Sequence, residues 1–245
     1  MNRKSIFENI YLNREWGSNR TLSGEGTLPE AAEEYVRYLS EFLKSNKDIN
    51  SILDVGHGDW KMWPRGYFDK YNYTGVDIAH QIVEECKREF SGDNIKFIEG
   101  DFLEIELPKS DVLLIKDVLI HLSDEDILRS LKKIRDFKYS LITTDIKSNG
   151  WRVLAGNIKR EFKKGIDLNN FLSVIYKSMK RDYLTNDIIT GSYHWVNLAD
   201  QKWNLNSLNL SIIKTFDYVN RGFTPGRSTH KRIFLITSSH SPYGT

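Results

Sequence analysis

Apolar and polar positions along this chain fall into two repeating registers. Short β-branched and apolar runs, SILDVG (51–56), YTGVDI (73–78), IKFIEGDF (95–102), DVLLIKDV (111–118) and YSLITTDI (139–146), have the length and make-up of strands. Between them, Ile82, Val83, Cys86 and Phe90 mark one helical face, and Ile127, Leu128, Leu131 and Ile134 mark another. Ser123, with Asp126 three residues on, supplies a start signal for the second helix, because its hydroxyl can accept first-turn N–H groups that have no helical partner. Strand, helix, strand at this spacing predicts a parallel sheet with helices on both faces.

Ahead of this core, Thr27 and Glu30 form a capping-box pattern around Pro29, and Ala32, Tyr35, Val36, Leu39 and Leu43 give a helical stripe that would dock on the sheet. Two late apolar runs, 210–219 and 231–239, are separated only by the turn-rich RGFTPGRSTH; with nothing helical between them they predict an antiparallel pair. The stretch 146–182 breaks the alternation. Leu154, Ile158 and Phe162 suggest one amphipathic helix, and Leu168, Phe171, Leu172, Ile175 and Met179 a second. No internal repeat is evident.

Charge refines this picture. The 245 residues carry 35 Lys+Arg against 33 Asp+Glu, a formal net of +2, which argues against a dedicated nucleic-acid binder. Segment 146–182, however, holds nine basic residues against three acidic ones, a local +6 that leaves −4 elsewhere. A length of this order suits one large domain or two small ones. No apolar run approaches the roughly 18–20 residues of a spanning helix, and the polar start lacks the apolar centre of a signal peptide, so a soluble, cytoplasmic chain is expected. The single cysteine, Cys86, excludes an intramolecular disulfide and a cysteine-based zinc site.

Candidate chemistry gathers at the strand ends. Asp54-Val-Gly56-His-Gly58-Asp59 closes the first strand, and its glycines would let a ligand approach the backbone where open α/β sheets bind ligands. A dinucleotide fingerprint would need a third glycine where Lys61 stands. Asp54 would repel a pyrophosphate but suits an ammonium or sulfonium. Asp77 ends the second strand, where it can accept both hydroxyls of a ribose; Asp101-Phe102 ends the third, offering an acceptor for an amine and an apolar face for a base.

The set LDVGHGD, GVDI and EGDF, followed by DVLLIKDVLIHLSDEDI, resembles the class I S-adenosylmethionine-dependent methyltransferases over essentially the whole chain. The resemblance implies a Rossmann-like doubly wound, mostly parallel seven-stranded sheet with a C-terminal antiparallel pair and a helical insertion. The chain reads as one domain over 1–245: an N-terminal cap and helix (1–50), a cofactor half (51–145), a basic helical insertion (146–182) and a C-terminal half (183–245); the charges of the insertion suit either a solvated helical face or a lid that clamps an anionic acceptor. The resemblance places Gly56 and Gly58 at the methionine part of S-adenosylmethionine, Asp77 at the ribose, Asp101 and Phe102 at the adenine, and Asp54 near the ammonium, with Asp59 and Ile78 also among the cofactor-binding residues. S-adenosylhomocysteine would be the product, with no metal expected. WGSNRTLSGEGT (16–27) and NDIITGSYHWVNL (186–198) are similar to elements of a bacterial group associated with sugar and surface-glycan (capsule) biosynthesis. This chain departs from that group at His57, where a Cys is usual, at Tyr193-His194-Trp195, and in its longer basic segment.

Within that frame His121, just past the fourth strand, is the first candidate for a general base, since an imidazole titrates in the useful range. His194 is the second, and Asp117 would line the cofactor pocket or orient His121. Trp16, Ser23 and Gly24 would close over the methionine end. Arg152, Lys159 and Arg160, with Asn186 and Asp187, would bind a small anionic acceptor: a sugar, sugar phosphate, phosphoramidate or nucleotide-linked precursor. Two competing readings are an RNA methyltransferase, with Trp151 and Tyr176 stacking bases, and a catalytically inactive cofactor-binding subunit. A divalent ion shared by Asp145 and Asn186-Asp187 is a further, less favoured arrangement.

Overall fold

A computed structural model of the chain describes residues 2–146, 186–220 and 229–239. Strands β1 (Ser51–Val55), β2 (Asn72–Asp77), β3 (Ile95–Glu99), β4 (Val112–Lys116) and β5 (Tyr139–Asp145) pair in parallel. Strands β6 (Leu210–Asn220) and β7 (Thr229–Ser238) are antiparallel, and β7 lies between β5 and β6, giving the order β3-β2-β1-β4-β5-β7-β6. All five residues of β4 are buried, as expected for a central parallel strand covered on both faces.

The two-residue period of the strands divides the core. Leu53, Val55, Leu113 and Ile115 face α4 (Asp124–Ile134) and α1 (Arg3–Leu12), whereas Ile52, Val112 and Leu114 face α2 (Pro29–Ser45) and α3 (His80–Phe90). Helix α4 starts as its sequence predicts, with the Ser123 hydroxyl accepting the Asp126 N–H at 3.3 Å.

The start of α2 differs from expectation. Leu28 is the residue at its N-terminus, and Thr27 instead belongs to a short 3-10 turn, its hydroxyl donating to the Gly24 carbonyl at 2.8 Å; Glu30 pairs with Arg20. Pro29 occupies the first turn and supplies a preset φ there. Helix α1 was not evident in the hydrophobic pattern because only Phe7, Ile10 and Tyr11 are buried in an otherwise polar ten-residue stretch. The two amphipathic stretches expected within 146–182, and Arg152, Lys159, Arg160, Trp151 and Tyr176 with them, lie outside the described residues, as does most of the turn between β6 and β7. Among the described residues no helix is long and apolar enough to cross a membrane.

Candidate active site

The carboxyl ends of β1, β2, β4 and β5 open into a cavity of about 410 Å³, roofed by α1 and the strap at residues 15–27. Its floor begins at the glycine loop after β1. Gly56 and Gly58 both have left-handed backbones, φ 71° and 58°, and a Cβ on them would come within 2.3 Å of Val118 Cγ2 and 2.5 Å of Ser23 Oγ respectively. Only glycine fits this turn without strain. The Gly58 N–H donates to Asp77 at 3.1 Å, and the other Asp77 oxygen accepts the Ala79 N–H at 3.0 Å, so the acid at the end of β2 sets the loop's shape.

Asp59 faces away from the cavity. Its carboxylate accepts the Thr21 hydroxyl and the Leu22 N–H, both at 2.7 Å, while its own N–H donates to Ser23 Oγ at 2.8 Å. It therefore fastens the strap to the glycine loop, and Ser23 and Gly24 reach the cavity from that strap. Trp16 packs against Phe7 and Tyr11 and stacks on His121 with centroids 4.4 Å apart.

Asp54 is buried beside the loop and accepts the Tyr73 hydroxyl at 2.7 Å; burial pushes its carboxyl up to about 7. His57, the departure from the resemblance, donates Nδ1–H to the Gly58 carbonyl at 2.7 Å and packs on Phe97, and burial lowers its pKa. Phe102 and Ile78 line the cavity. Asp101 accepts Arg3 Nε at 2.7 Å and the Leu103 N–H at 3.0 Å. Arg3 also reaches Asp126 at 3.0 Å and pairs with Glu104, tying α1 across the opening.

At the opposite end, His121 is held by a turn whose backbone is fastened to residues 191–194: Gly191 N–H donates to the His121 carbonyl at 2.7 Å, and His194 N–H to that of Ile120 at 3.0 Å. Because a carbonyl can only accept, the 2.8 Å contact from His121 Nδ1 to the Ser192 carbonyl places the proton on Nδ1 and leaves the Nε2 lone pair free to take another. Burial lowers this imidazole's pKa from its ordinary value, which disfavours the charged form.

Beside it lies a network that sequence reasoning missed. Asp117 adopts φ 58° and accepts Lys116 at 2.5 Å and Lys231 at 2.8 Å. Lys231 also donates to Asp145 at 2.6 Å, and the Tyr193 hydroxyl to the second Asp145 oxygen at 2.7 Å. Burial alone would raise the Asp117 carboxyl, but the two ammonium groups outweigh it and hold it below the usual range. The same pairing holds Lys231 above the usual lysine value despite burial.

Besides Asp59, three expected residues do not meet the cavity. His194 is fully buried in a separate packing, its Nδ1–H donating to the Asn186 carbonyl at 3.0 Å, so it is not placed to act as a base. Asp187 accepts the Asp124 N–H at 2.7 Å and the Ile188 N–H at 2.8 Å, serving the start of α4, where a carboxylate is favoured by unpaired N–H groups. Asn186 stands beside it on the same segment, outside the cavity wall. The shared ion site of Asp145 with Asn186-Asp187 therefore does not form, since Asp145 is taken up by Lys231 and Tyr193; among the described residues no cluster of three or more His, Cys, Asp or Glu side chains suits a metal.

Residues 52–137 match a family model described as a methyltransferase domain. Acetylserotonin O-methyltransferase 3 of Oryza sativa subsp. japonica is 34% identical over 90 residues, 36% of this chain and 24% of that protein. Strychnine O-methyltransferase of Strychnos nux-vomica is 32% identical over 100 residues, 40% of this chain and 26% of that protein. The match thus spans about a quarter of the length of these curated relatives. Among solved structures, magnesium protoporphyrin IX methyltransferase from Synechocystis PCC 6803, with bound SAH, superposes with a TM-score of 0.63 at 16% identity, covering 96% of this chain and all of that one. A SAM-dependent methyltransferase of Leishmania major gives 0.61 at 13% identity, covering 94% and 83%. These likenesses establish a shared fold.

Proposed function

We propose that this chain, with a methyltransferase domain matched at residues 52–137 on a Rossmann-like fold, is an S-adenosylmethionine-dependent O-methyltransferase acting on a hydroxyl of a small acceptor. The observation that carries the reading is the cradle at the end of β1: two glycines whose missing side chains leave room for a ligand against the backbone, with Asp54, Asp77 and Asp101 around it and His121 across the same cavity. The cofactor fits this donor set. Asp77 and Asp101 each retain lone pairs beyond the N–H groups they already accept, enough for ribose hydroxyls and an exocyclic amine. Asp54, buried and near neutrality, gains an ionic partner in an ammonium.

When bound, S-adenosylmethionine supplies an electrophilic methyl carbon on a sulfonium. The protein's own work is to orient an acceptor oxygen, exclude water and take the hydroxyl proton. His121 is built for the last task, with Nδ1–H anchored and Nε2 open. Trp16, stacked on that ring, keeps water from its face. Two relatives are named as O-methyltransferases, which supports an oxygen acceptor.

The acceptor we favour is a sugar or a sugar phosphate, phosphoramidate or nucleotide-linked precursor of a surface glycan. Its support is the likeness of 16–27 and 186–198 to the bacterial glycan group and the local +6 charge of 146–182, which suits an anionic handle. Residues 1–245 read as one catalytic domain in which Arg152, Lys159 and Arg160 meet that handle. Calorimetry with S-adenosylhomocysteine, followed by label transfer from the methylated cofactor to a panel of sugar phosphates, nucleotide-sugars and RNA, tests the reading. Methylated sugar identified by product mass is expected; no cofactor binding, or methyl transfer to RNA alone, would overturn it.

A further inference from the structure

Lys231 has no assigned role in the reading above, yet its position is unusual. It lies near the start of β7, as its third residue, opposite Asp145 of β5, and direct cross-strand partners project their side chains to the same side of a sheet. Asp117 reaches the same ammonium from the end of β4, in a left-handed conformation that a non-glycine residue adopts only when its surroundings enforce it. The result is a buried ammonium fixed by two carboxylates on the wall of the cavity, near His121. A lysine offers three N–H donors. Among the described residues Asp117 and Asp145 take one each.

We propose that Lys231 is a catalytic residue of the acceptor site, its remaining N–H holding the acceptor oxygen while His121 Nε2 removes the hydroxyl proton. This rests on reading the cavity as a methyltransferase site. The proton leaves oxygen for His121, an oxygen electron pair forms the new bond to the methyl carbon, the pair of the broken carbon–sulfur bond stays on sulfur, and Lys231 keeps all its protons. Division of labour follows from the partners. Asp117 and Asp145 stabilise the protonated form of Lys231, so it is a fixed donor and not the base, and Lys116 balances the second carboxylate. Tyr193, donating to Asp145, prevents that carboxylate from turning away. A donor fixed before the reaction stabilises charge that develops on oxygen without reorganising. The four charges of Lys116, Asp117, Asp145 and Lys231 sum to zero, so this end of the cavity suits an un-ionised hydroxyl and not a phosphate oxygen.

The test uses 4-nitrophenol, whose ionisation is visible, with protein saturated in S-adenosylhomocysteine. Wild type is expected to lower the ionisation midpoint of the bound probe by about one pH unit, a tenfold change. Lys231→Arg should keep the shift, and Lys231→Met and Lys231→Gln should lose it while binding S-adenosylhomocysteine within about threefold of wild type. The conservative variant separates a role at the oxygen from simple loss of packing. An unshifted or unbound probe in wild type, or an equal shift in folded Lys231→Gln, overturns the assignment. Failure of wild type to bind S-adenosylhomocysteine would instead overturn the methyltransferase reading, and this inference with it.

Discussion

Asp54 of β1 accepts the hydroxyl of Tyr73 from β2 at 2.7 Å. Asp54 is paired in register with Gly75, so Tyr73 is its diagonal neighbour on the same face, and the missing Gly75 side chain leaves the neighbouring space to His57 and Phe97. The bond satisfies one oxygen of a carboxylate whose ionisation burial opposes.

Asp54 should therefore couple pH to both stability and cofactor binding. Its folded pKa is raised from 3.8 to about 7, so its contribution to stability is fully present below about pH 4 and is lost as pH rises through about 7. Asp54→Asn should remove that loss and melt above wild type at pH 8, by a few kcal/mol at most. The same variant should bind S-adenosylmethionine about tenfold or more weakly, because a charged partner for the ammonium is gone. In wild type, cofactor affinity should rise between about pH 5 and 8, with proton release in calorimetry near pH 6.5. A pH-independent affinity would contradict the assignment of Asp54 to the ammonium.

Gly58→Ala should be costly in two ways. The left-handed backbone disfavours any side chain by about 1–2 kcal/mol, and the new Cβ would meet Ser23 Oγ at 2.5 Å. Thermal melting should fall accordingly, and cofactor binding should fall further because the strap is displaced. Ser23→Ala removes the 2.5 Å contact but leaves the Ser23 Cβ at 2.9 Å, and it does nothing for the backbone strain, so a double variant should recover only a small part of the melting loss.

Loss of the base should appear in rate and spare affinity. His121→Phe preserves a ring to stack on Trp16 and is expected to lower turnover by about 10²–10⁴-fold, with S-adenosylhomocysteine binding nearly unchanged. Since burial lowers the His121 pKa, the acid limb of the wild-type rate profile should lie below the usual imidazole value of 6.5, and activity should fall as pH drops through it. An acid limb above 6.5, or undiminished turnover in the variant, would rule His121 out.

Arg3 links three carboxylates, Asp101 at the cavity, Asp126 on α4 and Glu104 between them. Arg3→Ala should leave Asp101 without its cation and loosen α1, at a cost of about 1–3 kcal/mol for charged hydrogen bonds that are partly shielded from water. The expected signature is faster proteolytic cleavage within residues 3–12 and slower loss of that sensitivity on adding cofactor. Unchanged protection of α1 would show that Phe7, Ile10 and Tyr11 hold the helix alone.

Much of this arrangement could be read from the chain, and the boundary has physical causes. β1 and β4 announce themselves because buried parallel strands are continuous apolar runs, and the acids that end β1, β2 and β3 stand at fixed places relative to them. Thr27 misled because the capping-box spacing is local, whereas the turn at Glu25–Thr27 is set by the strap's attachment to Asp59. His121 and His194 both lie in plausible loops, and only the pairing of 120–121 with 191–194 decides that one faces the cavity and the other the core. Lys231 was hidden for a similar reason: its bond to Asp145 joins residues 86 apart, through a strand register that no local pattern encodes.

The place of β7 has a consequence for how the molecule is made. A nascent chain emerging from the ribosome can assemble β1 to β5 in order, because each new strand adds to existing parallel neighbours. β6 cannot dock on β5 directly; it must wait for β7 to slot between them. Until then β5 presents an open flank, and Asp145 lacks the ammonium that later neutralises it. Strand order therefore lets the side of the cavity built by β1 and β2 take shape from the first half of the chain, whereas the side that holds Lys231 is complete only when residue 231 is in place.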